Sequence, residues 1–426
     1  MPHTGTDSAE RVACGRAARS AVARSEHAEF PAPGARADPL VLLARQDHGR
    51  VPELLPVRYG RLAASPLAYF RGAALPMAAD LAATPRTGLL VQACGDAHPG
   101  NFGLVAAPGR RLVPDLVDFD ETLPAPWEWD VKRLTAGLEV TGRETGHPPA
   151  QRRRTALAAV EAYREAMHGF AGRTAHEIRH ARPDPGPLRV VAGRRPAGRV
   201  RPGPLVPASR IGGDGDPATL ADRLGSVLAR YQRGLGPGRR ELLAGYRLAE
   251  VARRVPDVGR IGTRCWLAAL VGPGAPLVLQ VKEAGSSVLQ EYTGAAPGCA
   301  GRRVVTGQRR TQAVGDVFLG WARTTRFDGR ARDFSVRRLP DGRAGTDVAA
   351  MTPNVLRAHA RLCGWTLAKA HARTGDAVAI AAYLGFGPVF AEAVREFAVA
   401  CADQNERDHA ALRAGIRRGD VTAATR

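Results

Sequence analysis

Lysine is scarce in this chain. Its 426 residues include three lysines, Lys132, Lys282 and Lys369, although lysine and arginine together number 61. Since arginine is the default cation, a retained lysine indicates a position that needs a compact point charge rather than a planar guanidinium. The net charge of +20 would suit nucleic acid, but the arginines are spread along the chain and aromatic residues make up only 5%. We therefore do not expect nucleic acid as the main partner.

Paired cysteines and long apolar segments are also missing. The six cysteines are scattered without Cys-x-x-Cys spacing, which argues against a zinc site and against a disulfide scaffold. We expect reduced thiols and a cytoplasmic location. No apolar run approaches the ~18 residues of a membrane span, and the first thirty or so residues contain no apolar stretch of the signal-peptide type. We expect no membrane association.

The length of the chain fits two or three domains, or one two-lobed unit. Helical periodicity predicts helices over 148–170 and 218–234, and alternating apolar runs predict strands over 88–93 and 111–119. Within 255–284 we expect two strands joined by a Gly-Pro-Gly turn, followed by a short helix within 307–318 and a β-hairpin. A long helix should begin at Pro353 behind Thr352 as N-cap and stop near Gly375. The predicted class is α+β.

We divide the chain into four parts on this basis. They are a loosely ordered leader (1–57), a helical part with the acidic loop (58–248) that carries an exposed insertion (171–216), a small β-rich lobe (249–345), and C-terminal helices (346–426).

The stretch "CGDAHPGNFG" (94–103) places Asp96, His98 and Asn101 on one short loop. Its glycines permit tight turns. Asp118 and Asp120 follow the next predicted strand, where a period of two residues puts both carboxylates on one side.

Oxygen ligands of this kind suit Mg²⁺, which binds through a few protein oxygens together with water and phosphate. Asn101, Asp118 and Asp120 are the candidate metal ligands. Asp96 would accept a proton from a hydroxyl group, with His98 as the second candidate catalytic residue. The alternative is that these glycine and Asx residues only form turns.

The loop and the segment "LVDFDETLPAPWEWDVKRL" (116–134) resemble the active-site signature of the aminoglycoside phosphotransferase and choline kinase group, within the protein-kinase-like superfamily. This resemblance implies that Asp96 is the catalytic base, that Asn101 and Asp118 bind Mg²⁺, and that Asp130 ties the loop down. Cys94 stands where the signature has histidine.

A kinase-like site also needs a phosphate-binding lysine on a strand, below a glycine-bearing turn. Lys282 in "PLVLQVKEA" and the pair Gly259 and Gly262 in "VGRIGTRCW" fit these roles. No glutamate stands at an obvious place on the following helix to pair with Lys282. That helix region carries Gln308 and Gln312 instead, while Glu283 and Glu291 lie before it.

The order of these parts along the chain is unusual. In kinases the small lobe comes first, whereas here the acidic loop precedes the β-rich lobe by about 150 residues. A helix of the kind that normally precedes the catalytic loop comes last. We expect a two-lobed, kinase-like fold that is circularly permuted, a change tolerated when chain termini lie close together.

Almost the whole chain also resembles a bacterial family catalogued as domain of unknown function 2252. The matching stretches are "SPLAYFRGAA", the acidic loop, "VGRIGTRCW", "LQVKEA", "GQRRTQAVGDVFLGW", "AKAHARTGD" and "ADQ".

The expected function is therefore that of a phosphotransferase that uses ATP and Mg²⁺ on an unidentified hydroxyl acceptor, a small molecule or a protein. Three alternatives stay open. They are a nucleotide-binding protein without turnover, a metal-dependent phosphoesterase, whose site also begins with a Gly-Asp-x-His motif, and a protein that binds nucleic acid through its arginines.

Overall fold

The computed structural model describes residues 7–107, 112–192, 205–207, 217–254, 258–296, 298–327, 329–339 and 347–424. Over these residues the chain combines helices with small antiparallel sheets, which confirms the α+β class. The helices are α1 (Ser8–Ala21), α2 (Pro39–Gln46), α3 (Leu55–Leu62), α4 (Pro66–Gly72), α5 (Ala74–Ala82), α6 (Trp127–Glu144), α7 (Pro149–Ala171), α8 (Ala175–His180), α9 (Pro185–Ala192), α10 (Pro217–Arg233), α11 (Pro237–Ala244), α12 (Gln290–Thr293), α13 (Ala300–Thr311), α14 (Pro353–Ala372), α15 (Ala377–Leu384) and α16 (Val389–Arg418). The strands are β1 (Leu90–Ala93), β2 (Phe102–Ala106), β3 (Leu112–Leu116), β4 (Leu123–Pro126), β5 (Leu205–Pro207), β6 (Arg247–Arg254), β7 (Cys265–Val271), β8 (Leu277–Ala284), β9 (Gly320–Thr324) and β10 (Arg332–Arg338).

The β-rich part forms an antiparallel sheet in the order β5-β6-β7-β8-β10-β9. The predicted turn between β7 and β8 and the predicted hairpin of β9 and β10 are both present. One face of the sheet packs on α10 through the predicted apolar stripe of that helix. The stripe consists of Leu220, Leu224, Val227 and Tyr231, all buried. The sheet and this helix therefore share one hydrophobic core, because alternation on the strands and the helical period on α10 present matching apolar faces.

A second and larger core lies among α6, α7, α14, α15 and α16. Helix α14 begins at Pro353 as predicted, although the side chain of Thr352 makes no capping hydrogen bond. Helices α7 and α14 cross very closely, because Gly364 has no side chain. A Cβ atom on Gly364 would lie 2.1 Å from the carbonyl oxygen of Ala159.

The expectation of a loosely ordered leader is wrong for residues 7–57, while residues 1–6 lie outside the described part of the chain. Helix α1 packs against α15, and Arg11 binds Asp376 at 2.8 Å. Arg36 binds Asp80 at 2.7 Å and Asp408 at 2.9 Å. Helix α1 has no strong apolar stripe, and ion pairs between distant parts of the chain, part-buried at Arg11 and buried at Arg36, help to hold the segment in place.

The expected insertion at 171–216 is in part structured. Its first half forms α8 and α9, and α9 packs on α14 through Val191, which lies beside Leu104 and Leu362. Residues 205–207 add β5 to the edge of the large sheet. Residues 193–204 and 208–216 lie outside the described residues.

The two strands predicted before and after the acidic loop do not pair with each other. Strand β1 pairs with β4, and β2 pairs with β3, so two small hairpin-like sheets flank the loop. Strand β3 ends at Leu116, which places Asp118 and Asp120 in the loop after the strand rather than at its end. The short helix expected within 307–318 is α13, which begins earlier, at Ala300.

In the described part of the chain, no single helix is both long and apolar enough to cross a membrane. The two consecutive helices α15 and α16 meet the length and composition criteria together, with an 86° bend between them.

Candidate functional site

The acidic loop is held by a buried carboxylate on α6. Asp130 accepts hydrogen bonds from the backbone N–H groups of Cys94 (2.7 Å) and Gly95 (3.0 Å). Gly95 adopts a φ of +79°, and a Cβ atom there would lie 2.4 Å from the carbonyl oxygen of Glu121. Only glycine fits this backbone without strain. Asp130 thus ties the loop down, as the resemblance implied.

Behind Asp130 lies a short chain of buried polar groups. The His371 Nε2 atom is 3.2 Å from the carboxylate of Asp130, and the His371 Nδ1 atom is 2.9 Å from the Tyr163 hydroxyl. His371 has no exposed surface. This histidine of α14 is therefore a satisfied core residue that supports the loop through Asp130, and not a group that meets a ligand. The thiol of Cys94 lies in the same core, and burial raises its pKa well above the ordinary value.

Asp96 and Asn101 are oriented by neighbours in the large core. Arg133 on α6 donates from Nε to Asp96 Oδ1 at 2.6 Å. The Asn101 side-chain amide donates to the carbonyl oxygen of Asp96 at 2.7 Å, which ties the two ends of the loop together. His98 Nε2 lies 3.8 Å from Asp96 Oδ2. Burial lowers the pKa of His98 to about 4, against the opposing charge of Asp96, so the imidazole is neutral at pH 7.

Asp118 and Asp120 lie together with two cations from the β-rich part. Arg260 donates from Nε to Asp118 Oδ2 at 2.8 Å and also binds the carboxylate of Asp120. Lys282 Nζ lies 2.6 Å from Asp120 Oδ2. Phe119 points into the core and is 2% exposed, so the two acids share one side of the chain as predicted. Burial raises the pKa of Asp118, but Arg260 and Lys282 outweigh it and bring that pKa well below its usual range.

Lys282 lies on β8, the third strand of the β6-β7-β8 meander, and its side chain is 9% exposed. Burial, and then the charge of Arg260, lower the pKa of Lys282 to about 7. Among the described residues, the ion-pair partner of Lys282 is Asp120, in the loop after β3.

The acids considered as partners of Lys282 are engaged elsewhere. Glu283 binds Arg264, and Glu291 binds Arg45. On α13, the Gln308 amide donates to the side chain of Gln312 at 2.8 Å.

The turn between β6 and β7, which carries Gly259 and Gly262, is held by hydrogen bonds from residues 50 and 51. Arg50 donates to the carbonyl oxygens of Gly259 (3.0 Å) and Ile261, and the Val51 N–H donates to the carbonyl oxygen of Gly262 at 2.8 Å. Gly262 has a φ of +94°. The turn is thus anchored to the segment that precedes α3, and Arg260 projects from it to the acids.

Three side chains with oxygen atoms are the candidates for holding a magnesium ion. The amide nitrogen of Asn101 is used within the loop, which leaves its oxygen as the ligand atom, and Asp118 and Asp120 supply carboxylates. Over the described residues, no three histidine, cysteine or acidic side chains converge as a metal-binding group. A phosphoesterase centre needs such a group, whereas Mg²⁺ bound beside phosphates needs only one or two carboxylates.

A cleft of about 860 Å³ adjoins Asp120. It lies among the turn after β6, the segment before α3, the loop after β8 and the start of β10. Its wall includes Asp120, Gly259 and Arg260 together with Arg45 and Glu121. Of the predicted site residues, Asp120 and Gly259 line it, whereas Asp96, His98, Asn101, Asp118, Gly262 and Lys282 do not.

Sequence reasoning found the two acidic clusters and Lys282 but not the arginines that bind them. Arg133 and Arg260 are unremarkable among so many arginines, and spacing alone could not mark them. The one available signal for Arg260 was its place between Gly259 and Gly262.

A sequence profile for an uncharacterized protein family conserved in bacteria, DUF2252, matches residues 50–201 and 199–415. The chain belongs to the DUF2252 family. The match takes in the acidic loop, Asp130, the turn after β6 and Lys282. Neither the curated proteins nor the solved structures contain a match to the chain.

Proposed function

We propose that this DUF2252 protein is a phosphotransferase that uses ATP and Mg²⁺ and phosphorylates a hydroxyl acceptor. The observation that carries the proposal is the ion pair of Lys282 with Asp120 at 2.6 Å. This pair joins Lys282 of the β-rich part to the acids that follow the acidic loop. A site for transferring a phosphoryl group needs this combination of one phosphate-binding cation and metal-binding oxygens.

The topology supports a circularly permuted kinase-like arrangement. In a kinase, the phosphate-binding lysine lies on the third strand, a helix follows, and the small lobe leads through later strands to the large lobe. Here Lys282 lies on the third strand of the meander, α13 follows, and β9 and β10 lead on to α14. The end of α14 lies against the start of β1, since the Gln92 N–H donates to the Thr374 hydroxyl at 3.2 Å. The acidic loop thus follows α14 in space although it precedes it in sequence.

Each residue has a definite task in this proposal. Asp96 accepts the proton of the attacking hydroxyl, and Arg133 orients the carboxylate for this task. His98 is neutral at pH 7 and borders Asp96 without competing for a proton. Lys282 binds the nucleotide phosphates. Asn101, Asp118 and Asp120 hold the metal, which neutralises charge on the phosphates when it is bound.

The second candidate is a nucleotide-binding protein without turnover. It is favoured by one observation: among the described residues Lys282 pairs with Asp120 and with no glutamate, while α13 carries the buried Gln308 and is followed by the buried Gln312. In active kinases a glutamate of this helix positions the lysine. Turnover therefore distinguishes the two candidates, and nucleotide binding does not.

A thermal-shift titration with ATP, with and without Mg²⁺, tests both candidates. A ligand at 100 times its Kd stabilises the folded state by about 2.7 kcal/mol, so the native Tm should rise. Lys282→Ala should abolish this rise, and Asp118→Asn should abolish the part of it that depends on Mg²⁺. Lys369→Ala is the matched control, because Lys369 lies outside the site and donates to the carbonyl oxygen of Ala181. An unchanged native Tm at millimolar ATP and Mg²⁺ would refute nucleotide binding.

Asp96→Asn separates catalysis from binding. This variant should keep the ATP-induced rise in Tm and lose ADP formation in the presence of a cell extract that contains the acceptor. Equal ADP formation by the native chain and Asp96→Asn would reject Asp96 as the base and leave the second candidate.

A further inference from the structure

The side chain of Arg260 covers both carboxylates of the proposed metal site. Its Nε and Nη2 atoms lie 2.8 Å from the two oxygens of Asp118, and its Nη1 atom binds Asp120. Lys282 binds the same oxygen of Asp120. The two negative charges are thus matched by two positive charges of the protein itself.

We propose that Arg260 is a built-in substitute for the divalent cation, so that the metal binds only after phosphates have drawn the arginine away. This inference rests on the proposed function, because it assigns an order of binding at the same site. A metal ion arriving alone meets acids that are already neutralised and an arginine that repels it. A guanidinium exchanges readily between the two partners, because its planar fork matches phosphate as well as carboxylate.

The surroundings of Arg260 allow its side chain, and not its backbone, to move. The main chain on both sides is anchored, since Arg50 binds the carbonyl oxygens of Gly259 and Ile261. A Cβ atom on Gly259 would lie 2.9 Å from the carbonyl oxygen of Arg71, so the turn also packs tightly below.

The side chain has space in another direction. Arg260 lines the adjoining cleft of about 860 Å³. A rotation about its side-chain bonds would carry the guanidinium from the carboxylates into this cleft. A triphosphate that enters there can reach Arg260, which lines the cleft together with other arginines, and the carboxylates that Arg260 leaves become available to the metal.

The consequence is coupling between the two ligands. Phosphate binding removes the arginine that excludes the metal, and by reciprocity the metal favours the state in which Arg260 is available to phosphate. Removing the charge at position 260 should therefore strengthen the binding of metal alone and weaken the binding of ATP without metal.

The first expectation, stronger binding of the metal alone, is tested by titration with Mn²⁺. Its binding is monitored through the loss of the electron paramagnetic resonance signal of the free ion. Arg260→Met should bind Mn²⁺ about tenfold or more tightly than the native chain, as is typical of a coupling between sites. Arg260→Gln should do the same, and Arg260→Lys, which keeps the charge, should stay close to the native chain. Arg45→Met is the matched control, because Arg45 lines the same cleft but binds Glu291. Equal Mn²⁺ affinity of the native chain, Arg260→Met and Arg260→Gln would overturn the inference.

The second expectation, weaker binding of ATP in the absence of metal, is tested by thermal shifts with ATP in excess EDTA. Arg260→Met should lose most of the shift that the native chain shows, and Arg45→Met should retain it. If the native chain shows no ATP shift with or without metal, the proposed function fails, and the Mn²⁺ measurement still decides whether Arg260 excludes a divalent cation. A full ATP shift in Arg260→Met would overturn the order of binding while leaving the phosphotransferase proposal intact.

Discussion

Replacing Asp130 by asparagine should loosen the acidic loop and leave the surrounding fold in place. The carboxylate accepts the N–H groups of Cys94 and Gly95 and contacts His371 at 3.2 Å. Asparagine has one acceptor oxygen, so it can keep only one of the two backbone bonds and turns a donor group towards the other.

The expected cost follows from these contacts. A hydrogen bond to a charged group contributes about 1.5–3 kcal/mol, and a buried donor left without a partner costs about 1–3 kcal/mol. Since these two contributions overlap, we expect Asp130→Asn to lower the free energy of unfolding by about 2–4 kcal/mol. The loss of the charge next to His371 acts in the same direction.

Amide hydrogen exchange measured by mass spectrometry is the most direct assay. A peptide that begins before residue 92 and covers the loop to residue 101 should exchange faster in Asp130→Asn, because the amides of Cys94 and Gly95 then compete for a single acceptor oxygen. Glu165→Gln is the control, since Glu165 is 56% exposed and its 3.3 Å pair with Arg361 lies on the surface. Such pairs contribute about 0–1 kcal/mol. Unchanged exchange over 94–101 in Asp130→Asn would refute the assignment of Asp130 as the residue that holds the loop.

Two further variants test the packing and the buried charge of the large core. Gly364→Ala should destabilise the protein by about 1–3 kcal/mol or more through overpacking against Ala159. Gly169→Ala, with no atom within 4 Å of its added Cβ, should instead stabilise α7 by up to about 1 kcal/mol. Urea unfolding measures both changes, and similar effects of the two variants would contradict the close crossing of α7 and α14. Burial lowers the pKa of Lys132 from 10.5 to about 8, so the unfolded chain binds more protons than the folded chain between these values and stability rises with pH across this window. Lys132→Met should therefore be more stable than the native chain at pH 7, by on the order of 3 kcal/mol, and this advantage should shrink between pH 8 and pH 10; an advantage independent of pH would contradict the prediction.

Much of the fold could be predicted because its signals are local. The apolar stripe of α10 is visible at a helical period, and Pro353 marks the start of α14. Alternation and the Gly-Pro-Gly turn predict β7 and β8. These patterns act over a few residues, so the sequence displays them directly.

The N-terminal segment could not be predicted in the same way. Helix α1 is rich in alanine and arginine, and a single buried residue, Gly15, marks its contact with the rest of the protein. Its place is set by long-range pairs such as Arg11 with Asp376, which are 365 residues apart. Periodicity contains no information about such partners.

For the candidate site, the sequence by itself determined which chemical groups are available. It showed a loop with Asp96 and Asn101, a pair of acids at 118 and 120, and a rare lysine on an apolar strand. Only the tertiary structure decided that Lys282 forms an ion pair with Asp120 and that Arg260 binds both acids. Arg260 is 142 residues from Asp118 and 140 residues from Asp120 along the chain. The physical reason is that a charge finds its partner through space, after the cores have formed, and any of the many arginines could have been that partner until the chain was folded.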